Sequence, residues 1–305
     1  MMERKFSPDF FQDITPENID LLRSFLINSK EESCEFSLTN LYAWKEYCKT
    51  KFQICNDRLY IWFSHADLLI FTTDRNKNNE PPAKELYTVS QAMKKAGYKG
   101  VFYQVRKETI ENDPFFPEFF HIELCKEDTA EYIYDIKKLS HLPGQILAKK
   151  RNLIHQFKRD HADIKMELLT EKNWHKAKLL AEKWYASYPG NKEDLEGEIA
   201  SLANMEECFR STGLFGILAE ENGETLAFAT ASFITEKIWT ETLEKALPGQ
   251  KGAAQFINNE LAKILEEKCS YLNREQDLGL PGLRQAKLSY LPEYLLRNFV
   301  LIPKE

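Results

Sequence analysis

Apolar positions recur along this chain in two alternating rhythms, one of period near 3.6 and one of short runs bounded by turn residues. Thr15 followed by Pro16 opens a helix over about 16–29, with Ile19, Leu22 and Leu26 on one face. The stretch 52–64 holds two apolar runs either side of Asn56 and Asp57, a hairpin composition, and 66–73 extends that sheet. A polar loop to Pro81 and Pro82 precedes a helix over about 83–96 that stops at Gly97, and 101–105 reads as the next strand, so strand, helix, strand predicts a βαβ crossover.

A second pass through similar elements follows the strand at 119–124. The connection is expected at about 126–143, where a polar run precedes the strand-like Tyr132–Ile136 and then Pro143-Gly144. Helices are predicted at about 144–159, 172–186 and 193–210. Asn222-Gly223 between two apolar runs is the strongest short hairpin signal, placing a hairpin over 213–233. A strand near 239–243, a glycine loop at 249–252, a helix to about 268, a short strand at Tyr271 and one last strand over 294–301 complete the pass. The expected organisation is an N-terminal unit over 1–128 and a C-terminal unit over 129–305, both α/β with mixed sheets.

Composition narrows the class. With 305 residues, 43% of them hydrophobic, the chain can bury a sizeable core. The net charge of −6 argues against a surface coated in nucleic acid, while leaving room for a local basic patch. Cysteines at 34, 48, 55, 125, 208 and 269 form no C-x-x-C pair and accompany no zinc-spaced His, so no metal site is expected. The N-terminus lacks an apolar signal core, and no run approaches the roughly 18 apolar residues that span a bilayer, so a cytoplasmic protein is expected. No G-x-S-x-G elbow, Walker loop or H-E-x-x-H is present.

Candidate chemistry concentrates in Asn273–Tyr290, where five charged side chains surround two glycines and a proline. Glu275 and Asp277 lie two apart in the loop, and Arg284 and Lys287 three apart on the helix expected from Gly282, so opposite charges are expected to face one cleft near the 249–252 loop, with Arg274 a third cation. A solvated loop pinned by ion pairs has the same composition. Tyr290, at helical spacing from Lys287, is a further candidate. Gly249, Lys251 and Gly252 sit between strand and helix, where free N–H groups and the helix dipole suit a phosphate or serve a plain turn. Lys149, Lys150 and Arg151, continuing to His155, Lys158 and Arg159, form a cationic helix stripe open to an RNA or nucleotide contact, or to solvent. Glu244 and Lys245 adjoin the glycine loop. The pairs Tyr42 with Trp44 and Trp184 with Tyr185 read as core or interface.

Four blocks in order resemble the phosphatidylglycerol lysyltransferase C-terminal-domain family: 34–47 (CEFSLTNLYAWKEY), 132–157, 243–258 and 273–290. The resemblance implies two tandem GNAT-like acyltransferase domains, akin to Fem transferases that take amino acids from aminoacyl-tRNA. It implies acyl transfer to an amine or hydroxyl acceptor, which could be a small molecule, peptide or lipid. The donor would be aminoacyl-tRNA or acyl-CoA as co-substrate, with no permanently bound cofactor. On that reading Glu275 or Asp277 removes the acceptor proton, Lys287 and Arg284 stabilise the oxyanion or a donor phosphate, Tyr290 protonates the leaving group, and tRNA contacts Lys150 and Arg151. The 249–252 loop is similar to the acetyltransferase pyrophosphate loop, with Gly249 in place of its Gln or Arg. The family's His before Glu244-Lys245 is replaced by Thr240, Glu241 and Thr242. Two alternatives stand beside this one: a CoA-dependent N-acetyltransferase, and a non-catalytic protein binding a small anion or RNA.

Overall fold

The computed structural model describes residues 6–77, 79–188 and 195–305. The expected start of the helix at 193 and the charged residues 1–5 lie outside them. The strand β1 (Gln12–Asp13) precedes α1 (Ile19–Leu26), α2 (Leu38–Ala43) and α3 (Lys45–Cys48). Then come β2 (Thr50–Cys55), β3 (Arg58–Phe63), β4 (Leu68–Phe71), α4 (Ala83–Lys95), β5 (Val101–Val105), α5 (Lys107–Glu111), α6 (Phe116–Phe119) and β6 (Phe120–Leu124). The second pass runs β7 (Glu131–Asp135), α7 (Ile136–His141), α8 (Ala148–Asp160), β8 (Lys165–Leu168), α9 (Trp174–Ser187), α10 (Glu196–Thr212), β9 (Phe215–Glu221), β10 (Glu224–Phe233) and β11 (Ile238–Ala246). It ends with α11 (Ala253–Leu265), β12 (Tyr271–Gln276), α12 (Pro281–Leu288), β13 (Tyr294–Leu296) and β14 (Phe299–Pro303).

Local turn chemistry sets both hairpins. Asn56 and Asp57 take φ of 50° and 56°, and Asn222 and Gly223 take 51° and 80°, the left-handed pair that a two-residue turn needs to match the strand twist. Thr15 caps a short 3-10 turn whose Asn18 side chain accepts from the Thr15 N–H at 3.0 Å, so α1 proper starts only at Ile19.

Two seven-stranded sheets result, in the orders β1-β2-β3-β4-β5-β14-β6 and β13-β7-β12-β11-β10-β9-β8. Each has one parallel pair joined by a crossover helix, β4 with β5 and β11 with β12. The registers Leu68↔Val101 and Leu69↔Phe102 map onto Trp239↔Leu272 and Thr240↔Asn273 at one constant offset in residue number, and the same offset carries Gln104 onto Glu275. Those two residues share a left-handed backbone, φ 56° and 58°, each at a register shift in its strand. The chain is thus a structural repeat without visible sequence identity between its halves.

The strand-like run expected within 126–143 is β7, which enters the second sheet between β12 and β13 and is followed by α7. One expectation is corrected. The single last strand over 294–301 is two: β13 pairs with β7, while β14 crosses back between β5 and β6 of the first sheet. The second half therefore supplies one strand to the first sheet, and strand pairing crosses the division at 128/129 through β14. The cores interlock as well, since Cys208 of α10 packs with Leu41 and Tyr42, and Ala43 packs with Trp174, Leu202 and Met205.

Candidate active site

In each sheet the parallel ladder ends before its strands do. β11 and β12 pair through Thr240 and Asn273 and then run on to Ala246 and Gln276, leaving a wedge between their C-terminal ends, where open α/β sheets bind ligands. In the first sheet the matching region is occupied by protein: Arg106, just past β5, reaches Glu31 at 3.2 Å and also binds Glu80, and all three are nearly buried. In the second sheet it is a cavity of about 520 Å³, closed on the far side by the N-terminal half.

Glu275 lies on its floor. Asn273 and Gln276 pair with Ile133 and Glu131 across a bulge, and the residues between them leave the ladder. The Asn273 Oδ1 accepts the Glu275 N–H at 2.8 Å, holding Glu275 in its left-handed conformation, which costs a non-glycine residue about 1–2 kcal/mol. The bulge turns the carboxylate toward α2. There Ser37 caps the helix by accepting the Asn40 N–H at 3.3 Å, and the Asn40 amide donates to Glu275 Oε1 at 2.7 Å. Thr240 donates to the same oxygen at 3.0 Å, and Thr242 fixes the Asn40 carbonyl at 3.0 Å. Burial pushes the Glu275 carboxyl up to about 7, against the pull of Asn40 and Lys287.

Lys287 projects from α12 into the same cavity and donates to the backbone carbonyls of Arg274, at 2.6 Å, and of Gln276. Two of its three N–H bonds are thereby used, and one is free. Burial, with Arg274 nearby, lowers its ammonium to about 8. Tyr134 accepts this helix end by donating to the Lys287 carbonyl at 2.7 Å. Arg274 binds Glu241 and, at 2.8 Å, Glu244, so its charge is spent on the wall. Burial and the neighbouring Glu241 raise the Glu244 carboxyl to about 8. Glu35, from the turn before α2, is raised to about 8 by burial and by Glu131 and Glu275. Lys245 pairs with Glu198 at 2.5 Å under Trp184. The lining carries Glu35, Glu198, Glu241, Glu244 and Glu275 beside Lys245, Arg274 and Lys287, and burial holds the first, fourth and fifth of these carboxyls at about 7–8.

The structure separates the residues that the sequence grouped. Glu275, Lys287, Arg274, Glu244 and Lys245 line the cavity; Asp277, Arg284, Tyr290 and the 249–252 loop do not. Asp277 is fully buried and accepts from Tyr132 at 2.5 Å, from Arg284 at 2.7 and 3.1 Å, and from the Gly279 N–H at 2.8 Å. Burial alone would raise its carboxyl, yet the Arg284 and Tyr132 hydrogen bonds overcome that and hold it near about 2. This pair pins the loop to β7, and Arg284 faces an outer groove with Pro281 and Leu288. Tyr290 is buried behind Arg274, its ring 5.2 Å from that guanidinium and 4.0 Å from the Lys150 ammonium.

The remaining candidates stand away from the cavity. A Cβ at Gly252, φ +88°, would stand 2.4 Å from the Leu153 carbonyl, so glycine lets α11 approach α8. Lys251 is exposed on that turn. Arg151 donates to the carbonyls of Leu142 and, at 2.7 Å, Gly144, closing the end of α7, and Lys158 is held by Glu260 at 2.8 Å. Sequence reasoning missed Glu35, Asn40 and Glu241; the first two fall inside the block 34–47, whose polar residues were the available signal. Among the described residues no group of three or more His, Cys, Asp or Glu could hold a metal ion, and no helix is long and apolar enough to cross a membrane.

Known proteins share this architecture. A protein of unknown function from Bacteroides thetaiotaomicron superposes with a TM-score of 0.87 at 27% identity, over 98% of this chain and 100% of that one, so both sheets share one arrangement. L-PGS from Bacillus licheniformis gives 0.66 at 12% identity, over 98% and 94%, a likeness of fold. An uncharacterized protein of Mycoplasmoides gallisepticum is 21% identical over 188 residues, 60% of this chain, and the chain spans only 59% of that curated relative's length. FemX gives a TM-score of 0.59 at 9% identity, over 96% of this chain and 97% of that one, and shares the fold of two mixed α/β sheets in tandem. Residues 28–302 match the family described as phosphatidylglycerol lysyltransferase, C-terminal, and the chain belongs to that family, a group related by fold to acyltransferases.

Proposed function

We propose that this chain transfers an aminoacyl group, taken from aminoacyl-tRNA, to an amine or hydroxyl acceptor inside the cavity at the β11–β12 wedge. The observation that carries the reading is the placement of Glu275, turned by its bulge into the same enclosed space as the Lys287 ammonium. A carboxyl titrating near neutrality is matched to moving a proton at cellular pH. Glu275 accepts the acceptor's proton as its N or O bonds to the acyl carbon. The oxyanion that forms takes the free N–H of Lys287, where a fixed charge in a dry site is most effective. As the tetrahedral intermediate collapses, the ester C–O bond breaks and Glu275 returns the proton to the departing hydroxyl.

Five carboxyl-bearing side chains on the lining offer hydrogen-bond acceptors to an acyl group that carries its own amine, which a plain acetyl group does not use. The mouth also suits an acceptor with an apolar part: Leu278 and Leu283 line the cavity and are 69% and 37% exposed, and the exposed Leu280 and Leu288 extend that strip. Incubating the protein with radiolabelled aminoacyl-tRNAs, or with radiolabelled acetyl-CoA, and candidate acceptors tests the reading. Label transfer from aminoacyl-tRNA that is lost in Glu275→Gln is the expected result. Transfer from acetyl-CoA alone, or undiminished transfer by the variant, overturns it.

A further inference from the structure

The cavity has two unlike rims. One is the leucine strip of α12, and the other is aromatic and basic, built from α3 and the β3–β4 turn. Tyr47 lines the cavity and is 49% exposed. Its ring stands 6.0 Å from Trp44, edge on, and 6.0 Å from the His65 ring at a shallow 35°. The assembly is fixed from behind: a Cβ on Gly197 of α10 would lie 2.8 Å from the Tyr47 ring and 2.9 Å from Trp44, so glycine admits both rings against the helix. It is fixed from below as well. Ser64 donates to the Lys49 carbonyl through its N–H at 3.3 Å and its hydroxyl at 2.8 Å, and the His65 N–H donates to the Cys48 carbonyl at 3.2 Å. Lys49, in the left-handed conformation at the end of α3, is exposed, and its ammonium has no ion-pair partner among the described residues.

A half-exposed ring held from behind, with an exposed lysine two residues on at the end of the same helix, is a combination that can take an unstacked base and its phosphate. Inside the cavity Lys245 and Arg274 are taken by Glu198, Glu241 and Glu244, so neither is free for the phosphate of a nucleotide handle. The leucine rim offers it no ring and no cation that Asp277 has not taken.

We infer that Tyr47, with His65 and Lys49, forms the docking platform for the nucleotide end of the acyl donor, the base stacking on Tyr47 and a phosphate meeting Lys49. This rests on the proposed acyl transfer for its orientation, and it assigns the donor to the rim of the N-terminal half, away from the 249–252 loop and the α8 stripe. The acceptor then enters past the leucines. The shared chemistry is an adenine nucleotide, which the 3′ end of tRNA and coenzyme A both carry.

Calorimetric titration with the trinucleotide CCA and, separately, with coenzyme A tests the assignment. Tyr47→Ala should weaken binding about tenfold while Tyr47→Phe stays within about twofold, as stacking requires. Gly197→Ala, which keeps a helix-favouring residue but displaces the ring, should weaken it too. Lys49→Gln should lower the salt slope for CCA by about 0.7, the value for one phosphate on a single strand. Binding of CCA alone identifies a tRNA donor, and binding of coenzyme A alone a CoA donor on the same platform. Wild-type protein that binds neither probe, or Tyr47→Ala that binds as wild type, overturns the platform. If Tyr47→Ala binds normally while Glu275→Gln loses transfer, the platform fails and the proposed function stands. If CCA binds through Tyr47 and no transfer occurs, the reverse holds.

Discussion

Replacing Glu275 by Gln should make the protein more stable at pH 8 and nearly inactive there. The side chain keeps its shape, and its carbonyl oxygen can still accept from Asn40 and Thr240. What it loses is a carboxylate that burial raises from 4.5 to about 7. The sign follows from proton binding: between those values the unfolded chain has released the proton and the folded chain has not, so stability falls as pH rises through that window. The difference corresponds to ~3 kcal/mol by linkage. Lys287 takes back part of it, because its ammonium, already lowered to about 8, loses a nearby negative charge in the variant. A net gain of ~1–2 kcal/mol at pH 8 and none at pH 4 is therefore expected. Urea unfolding at both values reads the first effect, and initial rates of acyl transfer read the second, a loss on the order of a hundred- to ten-thousandfold for a missing general base. Equal destabilisation at both pH values would show that the carboxylate is not desolvated, and a full rate would show that it moves no proton.

Asp277→Asn should cost ~2–3 kcal/mol by leaving Arg284 and Tyr132 without their carboxylate, while transfer per folded molecule changes less than about threefold; wild-type stability should fall from about pH 4 toward about 2 as that carboxylate protonates, and the variant should lack this slope. Lys287→Met should lower kcat more than it raises KM, since the free N–H acts on the oxyanion and not on the ground state, and steady-state kinetics would expose the opposite pattern. Gly252→Ala should lower thermal stability by ~2 kcal/mol or more, from backbone strain plus contact with the Leu153 carbonyl, and calorimetry of donor binding should find affinity unchanged in the folded fraction.

What the sequence disclosed was local. Asn56-Asp57 and Asn222-Gly223 announce hairpins because the turn itself demands their backbone, and the helix from 83 ends beside Gly97 for the same kind of reason. Charge density drew attention to 273–290 but could not divide it. Glu275 and Lys287 face the cavity while Asp277 and Arg284 satisfy each other, a distinction created by a bulge and by Tyr132 on a distant strand. Asn40 and Glu35 gain meaning only through contact with β12. The return of β14 to the first sheet was invisible because an apolar run encodes that it will pair, not with which sheet.

That return governs how the molecule comes into being. β6 and β5 are synthesised early, yet the strand that belongs between them follows the entire second sheet in sequence. A nascent first half therefore waits with a vacant slot, flanked by unpaired strand edges prone to capture other chains. The first half cannot complete its sheet without the second, and the many long-range pairings slow the search for the native topology. Expressed separately, the first half should aggregate alone and recover structure only when refolded with the second.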